Sequence, residues 1–316
     1  MRGRHFLTLQ DFTAEEITAI LDLAGALKLK QQQKIPHPLL AGKTLGMIFE
    51  KPSTRTRVSF EVGMWQLGGH ALFLSSQELQ IGRGEPIRDT ASVLSRYVDG
   101  IMIRAFAHSG VEEMARYATV PVINGLTDLY HPCQALADLL TIREKKGLLQ
   151  GLRVAYLGDG NNVAHSLMLG CTKLGIHISV GAPRGYWPQA EIRAKAEQNA
   201  RFSGGSVTVT SDPAAAVEGA DVLYTDVWAS MGQEQEKIER KKIFAPYQLN
   251  GDKLAQAGPE AIVMHCLPAC RGEEISADVL EGERSVVLDQ AENRMHAQKA
   301  LMAMLMGNNY SGVSSQ

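Results

Sequence analysis

Apolar positions along this chain follow two periods in alternation. Runs of strand length bounded by turn residues occur at 45–49, 71–74, 100–103 and 120–123, and again at 154–157, 176–180, 207–210, 222–225, 262–265 and 286–288. Between them, apolar residues recur at helical spacing. Residues 11–30 carry Ile17, Ile20, Leu21 and Leu27 among polar neighbours. After Pro52, Val58, Val62 and Trp65 fall at i, i+4 and i+7, and Phe60, Met64 and Leu67 widen that stripe until Gly68-Gly69 ends it. Residues 88–98, 111–117, 131–140 and 165–171 read as further helices, and 293–306 as the last.

Strands alternating with helices predict parallel sheets covered on both faces. The expected fold is α/β, with two doubly wound parallel-sheet domains and a cleft between them as the ligand site. The polar Lys145-Lys146-Gly147 stretch marks a hinge region. The expected division is 1–140, 141–292 and a C-terminal helix, 293–316, packing back on the first domain; its polar end, 311–316, is expected to fray.

Composition narrows the function classes. With 316 residues, 45% hydrophobic and 21% charged, the chain is an ordinary globular protein with room for two cores. A formal charge of -2 supplies no basic field for nucleic acid or an anionic membrane, so anion binding has to be local. No apolar run reaches membrane-spanning length, and the basic start leads into Asp11, Glu15 and Glu16 rather than an apolar leader. Four cysteines in such a length are no disulfide framework, which predicts a reducing, cytoplasmic setting.

The candidate chemistry sits where strands end. Ser53-Thr54-Arg55-Thr56 follows the first strand and opens a helix, so hydroxyls, a guanidinium and free backbone N–H groups converge as a phosphate would require. By itself Ser53 reads equally well as a plain helix cap. Arg104 follows the run 100–103. His131 and Gln134 stand at a helix start opened by Pro132, where they can donate to a carbonyl oxygen. In the second half, Gly158-Asp159-Gly160-Asn161-Asn162 resembles part of a dinucleotide fingerprint. Val163 occupies the third glycine's place and no acid follows the next strand, which argues against a nicotinamide cofactor, although Arg184 leaves the phosphorylated form open. The two asparagines suit a carboxylate instead. Asp226 and Ser230, in Asp226-Val227-Trp228-Ala229-Ser230-Met231-Gly232, can hold an amino group. Cys266 and Cys270 lack the paired spacing of a zinc site, so Cys266 reads as a thiol lining a cleft. Arg294 lies near the start of the last helix.

Taken together, Ser-Thr-Arg-Thr-Arg at 53–57, His-Pro-Cys-Gln at 131–134, Asp-x-x-x-Ser-Met-Gly at 226–232 and His-Cys-Leu-Pro at 265–268 resemble the aspartate/ornithine carbamoyltransferase family, in its order and over nearly the whole chain. The resemblance implies carbamoyl transfer from carbamoyl phosphate to the side-chain amine of L-ornithine, giving L-citrulline and phosphate in arginine metabolism. It implies donor contacts at Ser53, Thr54, Arg55, Thr56, Gln80, Arg104, His131, Gln134, Cys266, Leu267 and Arg294, with Arg104, His131, Cys266 and Arg294 catalytic. Acceptor contacts are implied at Asn162, Asp226, Ser230 and Met231. It further implies a homotrimer with shared sites, Gln80 serving a neighbour, and neither metal nor organic cofactor. An aspartate acceptor, being a dianion, would call for extra basic residues where this chain has Asp226, and for proline where it has Cys266.

Overall fold

The computed structural model describes residues 1–229 and 236–307, and its chain divides into two units, Met1–Leu140 with Asn293–Gln316, and Thr141–Glu292. In the first unit the strands are β1 (Thr44–Phe49), β2 (His70–Ser75), β3 (Gly100–Arg104) and β4 (Val122–Leu126). They form one parallel sheet in the order β2-β1-β3-β4. The helices before and between them are α1 (Ala14–Gln32), α2 (Thr54–Gln66), α3 (Ile87–Leu94) and α4 (His108–Tyr117), and α5 (Pro132–Lys146) begins in this unit.

The second unit carries β5 (Arg153–Leu157), β6 (His177–Gly181), β7 (Ser206–Thr210), β8 (Val222–Thr225) and β9 (Ile262–His265), parallel in the order β7-β6-β5-β8-β9. Its helices are α6 (Asn162–Lys173), α7 (Ala190–Ser203), α8 (Pro213–Val217), α9 (Lys237–Phe244), α10 (Gly251–Gln256) and α11 (Ala277–Leu280). The last helix, α12 (Val287–Met306), starts there and continues into the first unit.

Each sheet reverses its winding once. The chain steps from β1 to β2 on one side and to β3 on the other, and likewise from β5 to β6 and to β8. Ligands collect at the carboxyl ends of strands beside such a reversal. In the first unit those ends lead into Ser53, Arg104 and His131; in the second they lead into Asn161, Asp226 and Cys266.

The packing that holds these ends in place is apolar and close. Ile48, Ile101, Ile103, Val111, Met114 and Val122 form a core on one face of the first sheet, and Ala155, Leu157, Leu223, Val263 and Ile275 one on the second. Gly100 lets α12 close on β3, since a Cβ there would lie 2.8 Å from Met306 Sδ. At the chain's first long helix, Thr13 caps α1 in a reciprocal box with Glu16.

Three local expectations give way. The α2 stripe of Val58, Val62 and Trp65 faces outward, with Trp65 76% and Val58 49% exposed. The buried face is Thr56, Ser59, Phe60, Gly63 and Met64. Phe60, Met64 and Leu67, which widen the stripe, are the part of it that is buried, and the face contacts α12 at Gly63, where a Cβ would meet Lys299 Cγ at 3.2 Å. Residues 286–288 form no strand: Ser285 makes an isolated bridge to Val263, α12 has begun at Val287, and Leu288 is 77% exposed. The fourth strand lies two residues later than its apolar run. Residues 311–316 lie outside the described residues.

Candidate active site

In the first unit the site is built on the opening of α2. Ser53 holds an extended backbone and caps the helix, its Oγ accepting from Thr56 N at 3.2 Å and donating to Thr56 Oγ1 at 3.0 Å. The backbone N–H groups of this first turn have no partner within the helix and lie at its positive end. Thr54 is exposed and Arg55 half-buried there. Arg57 turns away: its Nε donates to Glu61 at 3.0 Å and its guanidinium lies 3.8 Å from the Phe73 ring centroid.

Arg294, 3% exposed, reaches the same place from α12. Its Nη1 donates to Gln134 Oε1 at 2.6 Å and its Nη2 to Thr56 Oγ1 at 3.1 Å. Gln134 is oriented for this by an amide N–H that donates to Asp138 Oδ1 at 2.8 Å, leaving the second N–H for a ligand. Thr56 Oγ1 accepts from both Ser53 and Arg294, so its own proton is directed outward from that pair.

His131, buried just before α5, has its pKa driven well below the ordinary histidine value, first by burial and then by Arg294, Arg104 and Arg55. It is therefore a neutral imidazole, able to donate one N–H without adding charge. Arg104 is buried at the end of β3, and its carbonyl accepts from Glu50 N at 2.9 Å. Lys51, which carries no motif of its own in the sequence, stands with its Nζ 4.3 Å from the Phe106 ring centroid, and its pKa is lowered by burial and by Arg104. Gln80 is exposed in a short 3-10 turn, Gln80–Arg83, away from these hydrogen bonds.

In the second unit, Asp226 follows β8 with 6% exposure. Its Oδ1 accepts from Val227 N at 2.8 Å and from Cys266 Sγ at 3.0 Å, and its Oδ2 from Asn161 Nδ2 at 2.9 Å. Asn161 also caps α6 through Oδ1, so of the two asparagines it is the structural one, and Asn162 begins the helix. Gly160 serves packing: a Cβ there would lie 2.2 Å from Pro188 N, so the glycine is required by the close approach of the 187–188 backbone. Asp159 is held by Arg240 Nη1 at 2.7 Å.

Cys266 and Leu267 are set by residues with no obvious signal in the sequence. His265 is buried; its Nδ1 accepts from Leu267 N at 2.8 Å, so its Nε2 carries the proton, donated to Glu274 Oε1 at 3.0 Å. Glu274 Oε1 also accepts from Cys270 N, and Leu267 is held at φ 58°. Among the described residues, two groups have metal-ligating atoms close together, Asp226 with His265 and Cys266, and Cys270 with Glu273 and Glu274. In the first, Cys266, both imidazole nitrogens and both Asp226 oxygens are hydrogen-bonded as above; in the second, one oxygen of Glu274 is. Ser230 and Met231 lie outside the described residues.

One parallel α/β unit gathers hydroxyls and an arginine at a helix opening, and the other sets a carboxylate beside a thiol. The comparisons with known proteins identify the family. The family model described as the aspartate/ornithine carbamoyltransferase carbamoyl-P binding domain matches residues 4–144, and that of the Asp/Orn binding domain matches 150–305. The chain belongs to the aspartate/ornithine carbamoyltransferase family. It is 60% identical to the ornithine carbamoyltransferase of Thermococcus kodakarensis over 97% of this chain and 98% of that relative. The solved ornithine carbamoyltransferase of Pyrococcus furiosus superposes with a TM-score of 0.95 at 61% identity, covering 98% of each chain. The anabolic enzyme of Campylobacter jejuni superposes at 0.89 with 43% identity, over 95% of this chain and 98% of the other.

Proposed function

We infer that the chain transfers the carbamoyl group of carbamoyl phosphate to the side-chain amine of L-ornithine, giving L-citrulline and phosphate. Full-length identity to ornithine carbamoyltransferases supports the substrate pair. The observation that carries the chemistry is Arg294 spanning Thr56 and Gln134 at the opening of α2. The donor's phosphate takes Ser53, Thr54, Arg55 and Thr56, the helix opening and Arg104. Its carbamoyl oxygen takes His131, Arg294 and the Thr56 hydroxyl, which stabilise the negative charge that builds there during attack. Gln134 takes the carbamoyl amide, and Cys266 and Leu267 are assigned to the same group of the donor.

Asp226 holds the ornithine α-amine, and Asn162 its carboxylate, with Ser230 and Met231 assigned to the same subsite. A free alkyl amine has a pKa of about 10.4 and attacks only when neutral. Burial disfavours its charged form. The new C–N bond forms as the C–O bond to phosphate breaks, and the departing phosphate accepts the amine's proton. Juxtaposing the two substrates supplies much of the acceleration.

The assembly we propose is a homotrimer in which Gln80 reaches a neighbour's site. Support comes from α2 and the edge strand β2, on which Trp65, Val58, Leu72 and Phe73 are each exposed. Among the described residues no helix is long and apolar enough to cross a membrane. None of the four cysteines is in a disulfide, which suits the cytoplasm. A relative from Pyrococcus furiosus is described as anabolic, and the biosynthetic direction is proposed here too.

The test is a ureido-product assay with carbamoyl phosphate and, in turn, ornithine, N-acetylornithine, putrescine and aspartate. Ornithine alone should give strong turnover. Turnover of aspartate alone would overturn the acceptor assignment.

A further inference from the structure

Lys299 is fully buried and takes part in none of the chemistry assigned above. It projects from α12, and its Nζ donates to Gln66 Oε1 at 2.7 Å, while His37 Nε2 stands 3.0 Å away. His37 is itself buried, with Nδ1 2.8 Å from the Ile35 carbonyl. That contact requires a proton on Nδ1, so Nε2 is an acceptor and Lys299 donates to it. No carboxylate is among these partners. What steadies the buried ammonium is the end of α2: Gln66 is its last residue, so the charge sits at the negative pole of that helix.

The same two helices carry the donor site at their other contact. Gly63 on α2 brings the backbones together, with an added Cβ placed 3.2 Å from Lys299 Cγ and 3.3 Å from Met302 Cε. One turn and a half before Lys299, Arg294 crosses to Thr56 in the first turn of α2. The crossing is therefore fixed at three places: Arg294 on Thr56, Lys299 against Gly63, and Lys299 on Gln66. A rotation or slide of α12 along α2 would break the last contact first and carry Arg294 off the line between Thr56 and Gln134. The requirement is geometric, because a misplacement of about 1 Å in a catalytic group costs on the order of 100-fold.

We propose that Lys299 is a positioning residue for carbamoyl phosphate, clamping α12 to the C-terminal end of α2 and to His37 so that Arg294 meets the donor at the N-terminal end. The proposal rests on the reading of Arg294 as a donor contact, and the experiment separates the two.

Steady-state kinetics with both substrates would be compared for Lys299→Met, Arg294→Ala and the double variant, with folding followed by circular dichroism. Lys299→Met keeps the chain's bulk and loses both hydrogen bonds. It should raise the KM for carbamoyl phosphate about tenfold and leave that for ornithine within twofold. In the Arg294→Ala background the same change should add less than twofold, because the group it positions is already gone. Should Lys299→Met not fold, Gln66→Ala, which removes one anchor and leaves His37, takes its place with a smaller shift of the same kind. If Arg294→Ala leaves the carbamoyl phosphate KM unchanged, the donor reading fails. If Arg294→Ala raises it but the folded Lys299 or Gln66 variant does not, or if the two losses multiply in the double variant, the positioning role is overturned.

Discussion

Arg294 donates to Gln134 Oε1 at 2.6 Å across 160 positions of sequence, and the same guanidinium donates to Thr56 Oγ1 at 3.1 Å. A planar fork can serve two acceptors and a ligand at once, whereas an ammonium at the same place cannot keep this geometry. Arg294→Lys should therefore lower kcat/KM for carbamoyl phosphate by about 100-fold, equivalent to about 2.7 kcal/mol, with an unchanged circular dichroism spectrum. Initial rates over a carbamoyl phosphate titration check it. Retention of more than a third of the wild-type value would show that charge alone suffices.

Asp226 is surrounded by donors, Cys266 Sγ, Asn161 Nδ2 and Val227 N, which keeps its carboxylate fixed while leaving it one negative charge. Asp226→Asn keeps the shape and removes the charge. The KM for ornithine should rise at least tenfold, and that for carbamoyl phosphate should stay within twofold. Cys266→Ser, which still donates to Asp226, should be the milder change, and Cys266→Ala the harsher. An unaltered ornithine KM in Asp226→Asn would remove the α-amine assignment.

Much of this arrangement is legible in the sequence because strand ends and helix openings have local causes. An apolar run followed by Ser53-Thr54-Arg55-Thr56 gives a strand, a turn and a capped helix without tertiary information. What the sequence conceals is direction. On α2 Phe60 and Met64 face inward beside Gly63, Thr56 and Ser59, whereas Val58 and Trp65, equally apolar as letters, are exposed, so an apolar count selects residues on both faces. Asn161 and Asn162 are indistinguishable as letters, yet one caps α6 and ties Asp226 while the other starts the helix. Lys299 and Glu274 carry no signal of burial in the sequence and are fully buried, with partners 233 positions away for Lys299 and nine for Glu274.

The His265–Glu274 pair gives a stability test distinct from catalysis. Glu274 Oε1 accepts from both His265 Nε2, which is buried, and Cys270 N, which is half-buried, so Glu274→Ala leaves both donors without this acceptor. A loss of about 2–3 kcal/mol in denaturant unfolding is expected. Glu274→Gln keeps an acceptor oxygen in place and should cost less than about 1 kcal/mol. Equal losses for the two variants would show that volume, not hydrogen bonding, holds the loop of Cys266 and Leu267.

Lys299 should give the protein's stability an alkaline dependence of its own. Burial pushes its pKa from 10.5 down to about 8. Below pH 8 the amine is charged in the folded and the unfolded chain alike, and folding bears the full cost of removing that charge from water. Between about 8 and 10.5 the folded chain releases the proton while the unfolded chain keeps it, so this group's contribution to stability rises with pH. The neutral amine still has two N–H groups for Gln66 and His37, so the contacts survive the change. At 1.36 kcal/mol for each unit, the relief is about 3 kcal/mol when complete. Other groups titrate in the same range, and the informative quantity is the unfolding free energy of the wild type minus that of Lys299→Met, measured in urea at pH 7, 8, 9 and 10. That difference should be flat from pH 7 to near 8 and then climb in favour of the wild type. A difference that stays level to pH 10 would mean that Lys299 folds with an ordinary pKa, its charge stabilised by Gln66, His37 and the end of α2 as fully as water stabilises it in the unfolded chain.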